Sequence, residues 1–315
     1  MEKLRIVFMG TPDFAVGILD SILKNKYQIV GVVTAADKPA GRGQKTNYSA
    51  VKQYALQNHL KLLQPTNLKD PDFVAELQNL QANLQVVVAF RMLPEVVWRY
   101  PKFGTFNLHA SLLPNYRGAA PINWTLINGE TTTGVSTFFI DHKIDTGALI
   151  IKSEIEISET DSAGTLHDKL MHLGSQAVLK TLQLIEKNEV KTTTQLESTI
   201  VKTAPKLTKE TCKIDFSQPG TVVYNFIRGL SPYPCAWCVL IDNNADLIVK
   251  IYEAAFKPEP HLLAIGTVVS TKKELKIALV DGFLEILTLQ MPGKKKMRTA
   301  DLMNGHNFSV NCRVN

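Results

Sequence analysis

The sequence predicts an α/β fold with a doubly wound, mainly parallel sheet of the Rossmann-like type and a smaller antiparallel β-barrel at its C-terminal end. Short apolar runs alternate with amphipathic helical stretches over the first half of the chain, as they do when helices cover both faces of a parallel sheet. A polar, threonine-rich stretch then spans residues 187–209. Several short apolar runs follow with little helix between them, which is typical of an antiparallel barrel.

The first predicted elements are a strand, a helix and a second strand. LRIVFMG at 4–10 is short, apolar and ended by glycine, which predicts a buried strand. Pro12 and Asp13 suit the first turn of the helix that follows. YQIVGVVTAAD at 27–37 predicts the next strand. The stretch 38–49, with two glycines, a proline and three basic residues, predicts a loop.

This opening unit is similar to a dinucleotide-binding motif, because Asp37 lies near the spacing expected of a ribose-binding carboxylate. The turn after the first strand reads GTPDF, however, and lacks two of the glycines that let a pyrophosphate approach the backbone. The sequence therefore argues against nicotinamide or flavin binding. Gly10–Asp13 could still line a ligand crevice, since it follows the carboxyl end of a strand.

The alternation continues with helix 49–59, strand 61–65, helix 70–80, strand 84–90, strands 134–140 and 148–157, and a long helix at 166–187. Asp70 is predicted to cap the helix at 70–80, with Pro71 in its first turn. Thr165 and Asp168 resemble a capping box for the long helix. The C-terminal part has a predicted helix at 221–230 and strands at 247–256, 264–270, 275–280 and 283–291. We expect an α/β domain at 1–188, a linker at 189–209 and a barrel domain at 210–315.

The composition is that of an ordinary globular protein, with 315 residues, 45% hydrophobic and 20% charged. No run of about 18 apolar residues could form a membrane-spanning helix, and the N-terminus lacks the layout of a signal peptide. We therefore expect a cytoplasmic protein without a membrane partner. Its four cysteines fit a reducing compartment. Cys235 and Cys238 form a single CxxC pair with no second pair near it, so we interpret them as ordinary thiols and predict no metal site.

The charge of the chain is compatible with a polyanionic partner, since the net charge is +6 and the pI is near 9.0. Basic residues gather late in the sequence, at Lys272, Lys273, Lys276, Lys294, Lys295, Lys296 and Arg298. A solvated surface that favours solubility is the alternative interpretation of such runs.

The main candidate site lies in the stretch Asn107–Gly118, NLHASLLPNYRG. Asn107 and His109 are two residues apart at the end of a predicted strand, so their side chains point to the same side. Asp145 precedes a Thr-Gly turn between two predicted strands. An amide and an imidazole can donate hydrogen bonds to a developing oxyanion, and a carboxylate can orient the imidazole or accept a proton through water. These residues suit acyl transfer to an amine that the substrate supplies.

Each of these residues has a structural alternative. A lone histidine on a strand more often satisfies local hydrogen bonds, and Asp-Thr-Gly is a common turn. Ser111 could be a nucleophile, but no G-x-S-x-G elbow surrounds it, so we expect it to brace its loop. His142 is close to Asp145 in sequence, and exposure to solvent is its more ordinary interpretation.

On these motifs the chain resembles the formyltransferases that use 10-formyl-tetrahydrofolate. The family pattern is Asn-x-His, then Ser-Leu-Leu-Pro, then Arg-Gly, with a distant Asp, and the chain has it in NLHASLLPNYRG and IDTG. The stretches IVFMGTPDFAV, PAGRG, RGAAPINW, LSPYP and LQMPGKKKM resemble those members that formylate methionine on charged initiator tRNA. The resemblance runs from about residue 4 to about residue 305.

The resemblance implies roles for individual residues. Asn107 and His109 would polarise the formyl carbonyl and hold its oxyanion, while Asp145 would orient His109 and assist proton transfer. The residues implied to bind the folate co-substrate are Phe90, Arg91, Met92, Leu93, Pro94, Ser111, Leu112, Leu113, Pro114, Ile140 and Asp141. Those implied to bind initiator methionyl-tRNA are Arg42, Lys45, Arg117, Lys294, Lys295, Lys296 and Arg298. The barrel would be OB-like, and we expect a monomer that needs no metal.

One position departs from the family pattern, because Arg91 stands where the relatives usually carry glycine. Its side chain could point to solvent or reshape the rim of the folate pocket. Other functions stay open beside the leading one. The same chemistry on a nucleotide-sugar amine would leave the PAGRG loop and the late lysines without a use. A glycinamide ribonucleotide enzyme would not need the barrel, and a protein that only binds RNA would not need Asn107, His109 and Asp145.

Overall fold

A computed structural model describes residues 2–40, 45–195 and 201–315 of the chain. Residue contacts divide the chain into two compact units. Unit 1 comprises Met1–Gly118, Thr133–Ile155 and His167–Thr203, and unit 2 comprises Ala119–Thr132, Glu156–Leu166 and Ala204–Asn315. The domain bounds expected from the sequence stay a prediction.

The main sheet of unit 1 is built from seven strands: β1 Arg5–Gly10, β2 Gln28–Val33, β5 Leu62–Leu63, β6 Leu84–Val88, β7 Thr105–His109, β9 Thr132–Phe139 and β10 Leu149–Glu156. Their order is β10-β9-β7-β6-β1-β2-β5. Neighbouring strands from β5 to β7 are parallel, whereas β9 runs antiparallel to β7. The predicted mainly parallel α/β sheet is confirmed.

The helices are α1 Asp13–Lys24, α2 Ala50–Gln57, α3 Pro71–Asn79, α4 Glu95–Trp98, α5 Pro121–Ile127, α6 Ala163–Glu186, α7 Gly220–Leu230 and α8 Thr299–Met303. Short strands outside the two large sheets are β3 Lys38–Ala40, β4 Lys45–Asn47, β8 Arg117–Gly118 and β11 Thr203–Ala204. Within the described ranges, no helix has the length and apolar character needed to cross a membrane.

Packing against the two faces of the sheet explains why its strands are apolar throughout. On one face, Val7 and Met9 of β1 belong to a buried cluster with Phe73 and Leu77 of α3. Burial of apolar surface stabilises the fold by about 25 cal/mol per Å². Because both faces of this sheet are buried, side chains on both sides of each strand are apolar, and the strands show no alternation of polar and apolar residues.

The opposite face decides which way the candidate residues of β7 point. Gly174 of α6 approaches Leu108 so closely that a Cβ at Gly174 would lie 2.8 Å from the Leu108 side chain. Because neighbours on a strand alternate sides, Asn107 and His109 face away from α6. The expectation that they share one side of the strand is therefore met.

The N-terminal caps of two helices agree with the sequence in one case and differ in the other. Asp70 accepts the backbone N–H of Asp72 and caps α3, as predicted. The capping box predicted at Thr165 and Asp168 is wrong, because α6 begins one turn earlier, at Ala163. Ser162 Oγ accepts from the Thr165 N–H at 3.3 Å, and Thr165 Oγ1 accepts from the Ser162 N–H at 2.9 Å. This reciprocal pair gives hydrogen-bond partners to two backbone N–H groups at the start of α6, those of Ser162 and Thr165.

Asp37, the residue that resembles a ribose ligand, is engaged within the protein. Its carboxylate forms an ion pair with Lys52 and accepts a hydrogen bond from Gln64 Nε2 at 2.9 Å. The hydrogen bond from Lys52 holds the pKa of Asp37 below its usual value. This carboxylate connects the loop after β2 to Lys52 of α2 and to Gln64 rather than standing free for a nucleotide.

Unit 2 contains an antiparallel sheet with strands β12 Ala236–Asp242, β13 Ala245–Pro258, β14 Val268–Ser270, β15 Leu275–Ala278, β16 Gly282–Gln290, β17 Met297–Arg298 and β18 Arg313–Val314. The order is β14-β15-β16-β13-β12-β18, with β17 on β16. Val268 donates to the carbonyl of Cys312 at 3.0 Å, which brings the two ends of this order together. The result is the nearly closed antiparallel barrel that the sequence predicts.

The threonine-rich segment after α6 carries more structure than its composition predicts. Thr193 exchanges backbone hydrogen bonds of 2.8 and 2.9 Å with Leu149 of β10. This bridge holds residues 193–195 against the sheet of unit 1, although no periodicity in the sequence indicates it.

Candidate active site

The two candidate residues of β7 lie where a ligand crevice is expected. His109 is the last residue of β7, at the carboxyl edge of the parallel strands, and is 7% exposed. Asn107 is half-buried. Its side-chain amide has no hydrogen-bond partner in the part of the chain that the structure describes. The Asn107 amide is therefore available to a ligand.

The imidazole of His109 is oriented from both of its nitrogens. Nε2 lies 2.8 Å from the carbonyl oxygen of Tyr116. Since a carbonyl can only accept, Nε2 carries a hydrogen in this arrangement. Nδ1 faces Oδ2 of Asp145 at 3.8 Å. That separation is longer than a hydrogen bond. With its one hydrogen on Nε2, the neutral ring has a lone pair at Nδ1, and only the doubly protonated ring carries a hydrogen there.

Asp145 reaches His109 from the turn between β9 and β10. Its φ of 55° is in the left-handed region, which is uncommon for a residue with a side chain. Oδ2 also accepts the backbone N–H of Gly118 at 3.0 Å. Gly147 is needed nearby, because a Cβ there would lie 1.7 Å from the carbonyl oxygen of Phe139. The Asp-Thr-Gly pattern thus reflects a tight turn that also aims a carboxylate.

The rest of this turn is braced by Asp141. Its carboxylate accepts from Thr146 Oγ1 at 2.8 Å and from the Lys143 N–H at 2.9 Å. Ile140 packs against the buried cluster of β1 and α3. Asp141 therefore braces its own loop, and the contact with folate that the resemblance implies stays a prediction.

The Ser-Leu-Leu-Pro loop is held from inside the protein. Ser111 is fully buried, and its Oγ donates to the carbonyl of Asn115 at 2.7 Å. Ser136 Oγ donates to the Ser111 carbonyl at 2.7 Å and accepts from the Leu113 N–H at 3.1 Å. Ser111 thus braces its loop, as expected. Leu113 is buried as well, which leaves Leu112 and Pro114 as the half-exposed members of the loop.

Residues 90–94 form a second loop beside the turn of Asp145. Phe90 and Leu93 pack into the core, while Met92 is 66% exposed. Pro94 is the N-cap residue before α4, whose Trp98 ring lies 5.2 Å from that of His142, edge to face. This contact places the 141–145 turn against α4. His142 itself is mostly exposed, as its ordinary interpretation predicts.

The side chain of Arg91 is hydrogen-bonded to a neighbouring stretch of backbone. Its Nη1 donates to the carbonyl of Thr66 at 2.8 Å, and Nη2 donates to the carbonyl of Pro65. The guanidinium also lies 5.8 Å from the Phe90 ring. Arg91 therefore connects the 90–94 loop to the backbone at 65–66 and restrains the position of this loop.

The residues implied to bind tRNA fall in several places. Arg42 lies outside the described residues, as does the side chain of Lys45. Arg117 donates from Nη2 to Oε1 of Gln195 at 2.6 Å. In unit 2, Lys294 and Lys295 are exposed.

The remaining two basic residues of that group lie on or next to β17. The ammonium of Lys296 lies 4.7 Å from the Tyr252 ring and 3.6 Å from Oε1 of Glu253. Arg298 pairs with Thr288 across β17 and β16, and its side chain is exposed. These four residues offer positive charge on one stretch of the barrel.

Gln195 is a residue near the candidate site that the sequence does not indicate. Its side chain is buried and contacts the backbone of Asp145 and Gly147 as well as Arg117. A glutamine in a polar, threonine-rich segment carries no recognisable signal. Only the contacts of the folded chain reveal it.

The four cysteines are all buried in unit 2 and unbonded to one another. Burial raises the pKa of Cys235 to about 11 and those of Cys238 and Cys312 to about 12, and it also raises the pKa of Cys212. Thiols that stay protonated are poor nucleophiles, which fits their interpretation as ordinary core residues. Over the described ranges, no three His, Cys, Asp or Glu side chains gather as a metal site would require.

Comparison with known proteins identifies the family. The family model described as "Formyl transferase" matches residues 4–182, and the one described as "Formyl transferase, C-terminal domain" matches residues 206–307. Methionyl-tRNA formyltransferase of Flavobacterium johnsoniae is 64% identical over 314 residues, covering 100% of both chains. The protein of the same name from Bacteroides fragilis is 53% identical over 313 residues, covering 98% of this chain and 97% of its own.

Solved structures share the fold at lower identity. The sugar 3N-formyl transferase WlaRD, solved in the presence of dTDP and 5-N-formyl-THF, has a TM-score of 0.65 at 24% identity and covers 94% of this chain and 100% of its own. HypX from Aquifex aeolicus, in complex with tetrahydrofolic acid, has a TM-score of 0.63 at 17% identity and covers 96% of this chain and 47% of its own. With full-length identities of this size among its named relatives, the chain belongs to the methionyl-tRNA formyltransferase family of formyl transferases.

Proposed function

We propose that this chain transfers a formyl group from 10-formyl-tetrahydrofolate to the α-amino group of methionine on charged initiator tRNA. The names of its full-length relatives support the reaction and its acceptor. The observation that carries the proposal is that Asn107 and His109 point to one side of β7 near its carboxyl end, where the Asp145 carboxylate lies 3.8 Å from the His109 ring. The reaction belongs in the cytoplasm, where charged initiator tRNA is used.

The chemistry follows from what these three groups can donate and accept. When the methionine amine attacks the formyl carbon, negative charge develops on the formyl oxygen. The Asn107 amide can donate to that oxygen because it has no partner among the described residues. In its doubly protonated form the ring of His109 can donate as well, from Nδ1, because the hydrogen on Nε2 is already bonded to the Tyr116 carbonyl. Preorganised donors of this kind typically contribute about a hundredfold or more to the rate.

Asp145 supplies the base for the attack of the amine. Its carboxylate orients His109 and can accept, through a water molecule, the proton that the attacking amine must lose. The Gly118 N–H on Oδ2 keeps the carboxylate aimed while leaving Oδ1 free of any described side chain. No side-chain nucleophile is required, because the amine of the acceptor attacks directly. The bond between the formyl carbon and N10 of the folate then breaks, and N10 takes up the proton that the amine lost as tetrahydrofolate leaves.

The rim of the site offers apolar surface to a flat co-substrate. Met92 is 66% exposed and Ile144 is 61% exposed, so both present apolar surface to solvent beside the candidate residues. We propose that the folate ring system lies between the loop at 90–94 and the turn at 140–145, with Ser111–Pro114 as the third wall. Arg91 supports this arrangement by anchoring the first loop rather than by entering it.

The tRNA would be held mainly through its phosphates. Lys294, Lys295, Lys296 and Arg298 offer positive charge on the barrel, and phosphate contacts give affinity without reading bases. We propose that Arg42 and Lys45 reach the acceptor end, with Arg117 close to the catalytic residues. A monomer that needs no metal satisfies all of these roles.

The decisive experiment is formyl transfer from 10-formyl-tetrahydrofolate to three acceptors: methionine-charged initiator tRNA, the same tRNA uncharged, and an amino-sugar nucleotide. We expect formylmethionine on the charged tRNA and no product on the other two. Product on the sugar alone would overturn the proposed acceptor while keeping the catalytic residues. Absence of product on every acceptor would overturn the reaction.

A further inference from the structure

The side chain of Gln195 connects two parts of the backbone that carry the catalytic groups. Its Nε2 donates to the carbonyl of Asp145 at 3.0 Å and to the carbonyl of Gly147 at 2.9 Å, across 50 and 48 residues of sequence. Its Oε1 accepts from Nη2 of Arg117 at 2.6 Å, across 78 residues. Both amide hydrogens are used, and the side chain is 7% exposed.

The two connected parts meet again at the catalytic carboxylate. Arg117 precedes Gly118, whose N–H donates to Oδ2 of Asp145 at 3.0 Å. The same oxygen lies 3.8 Å from Nδ1 of His109. Gln195 thus fixes the turn of Asp145 through its carbonyls and fixes the strand that holds Gly118 through Arg117. Both ends of the Gly118–Asp145 hydrogen bond depend on one amide.

The amide can hold this position because its own segment is anchored. Thr193 exchanges two backbone hydrogen bonds with Leu149, close to Gln195 in sequence. Nε of Arg117 is buried and has no hydrogen-bond partner among the described residues. The hydrogen bond from Nη2 of Arg117 to Gln195 is therefore a principal restraint on the arginine side chain. Losing it would remove the hydrogen bond of Nη2 from a half-buried side chain whose buried Nε already lacks a partner.

We propose that Gln195 is a positioning residue for formyl transfer: it sets the orientation of Asp145 toward His109 without touching either substrate. The inference rests on the proposed function for its kinetic consequences only. Misplacement of a catalytic group by a fraction of an ångström lowers the rate of the chemical step more than it weakens binding. Gln195 therefore belongs with the catalytic residues in its effect on kcat, though not in its contacts.

Four variants separate the contacts of the amide. Gln195→Met removes both the donors and the acceptor while keeping the length of the side chain. Gln195→Glu keeps the acceptor for Arg117 and removes the donors to Asp145 and Gly147. Arg117→Met removes the donor to Oε1 of Gln195 and leaves the hydrogen bonds of Gln195 to Asp145 and Gly147 in place. Thr194→Val is the matched control, since Thr194 is exposed and next to Gln195 in the same segment.

We expect Gln195→Met and Gln195→Glu to lower kcat on the order of tenfold, with the KM values for tRNA and folate within about twofold of wild type. Arg117→Met should lower kcat by a smaller factor, and Thr194→Val should change neither constant. A kcat equal to wild type in folded Gln195 variants would overturn the inference, and so would a rise in either KM at constant kcat. Should Gln195→Met fail to fold, Gln195→Glu decides the question.

A spectroscopic readout separates this inference from the reaction itself. The ¹⁵N shifts of the His109 ring report which nitrogen carries hydrogen and need no substrate. We expect them to move in Gln195→Glu and to stay unchanged in Thr194→Val. Unchanged shifts in Gln195→Glu would overturn the inference even if wild type formylates tRNA. Moved shifts in a protein that formylates nothing would leave the inference standing and overturn the proposed function.

Discussion

Oδ2 of Asp145 lies 3.8 Å from Nδ1 of His109, on the side of the ring away from the Nε2 that donates to Tyr116. The imidazole is therefore held at one nitrogen by the backbone and faced at the other by a carboxylate. When the ring is doubly protonated, this arrangement leaves the Nδ1 hydrogen available to a substrate oxygen. Substitutions at His109 and Asp145 can therefore test the two halves of this relationship separately.

Removal of the imidazole should slow the chemical step. His109→Ala deletes a donor to the formyl oxygen, so kcat should fall by about a hundredfold or more. Binding of charged tRNA should stay near wild type, because His109 is buried and makes no phosphate contact in this proposal. Steady-state kinetics together with equilibrium tRNA binding checks both expectations. Turnover close to wild type would contradict the role of His109.

Replacement of the carboxylate should separate catalysis from stability. Asp145→Asn keeps an oxygen that can accept the Gly118 N–H, so the melting temperature should stay near wild type. The negative charge is removed, so kcat should fall by about a hundredfold or more. Thermal melting and single-turnover formylation test the two parts separately. A protein with full activity in this variant would not use Asp145 for proton transfer.

The barrel lysines should bind phosphates of the tRNA. The double variant Lys294→Glu with Lys295→Glu should weaken tRNA binding and reduce its salt dependence by roughly one unit of slope for each phosphate that is no longer neutralised. The matched control is Lys272→Glu with Lys273→Glu, which makes the same change of charge at two other exposed lysines of the barrel. Titrations over a range of salt concentrations distinguish the two. Equal slopes in both variants would place the tRNA elsewhere.

The buried thiols predict how stability depends on alkaline pH. Burial raises the pKa of Cys235 to about 11 and those of Cys238 and Cys312 to about 12. In the unfolded chain a thiol ionises near its usual pKa of about 8.5. Above that pH the unfolded state binds fewer protons than the native state, so the free energy of unfolding falls as pH rises toward 11.

Urea unfolding near pH 8 and near pH 10 measures this fall, and both values bracket the unfolded thiol's usual range of about 8.5. The variant Cys238→Ala with Cys312→Ala should show a smaller fall than wild type, since two of the buried thiols are gone. An identical fall in the two proteins would mean that other groups cause the pH dependence.

The local features of the fold could be predicted because they depend on residues close in sequence. The apolar run of β1, the cap of Asp70 and the same-side placement of Asn107 and His109 each arise within a few residues. The predicted capping box of α6 is misplaced even so. Two overlapping patterns compete there, and Ser162 and Thr165 satisfy each other's backbone groups one turn before the predicted pair.

Residue patterns alone are enough to predict the α/β class, the barrel, and the residue types that suit acyl transfer to an amine, and the family resemblance narrows this chemistry to formyl transfer. Which of these residues meet depends on the folded chain. Asp145 reaches His109 because β9 returns antiparallel beside β7, and Gln195 reaches Arg117 across 78 residues. Arg91 likewise reaches the carbonyl of Thr66, 25 residues away in sequence, only in the folded chain. Periodicity and turn chemistry act over a few residues, whereas these hydrogen bonds form only after sheet topology has brought distant backbone together.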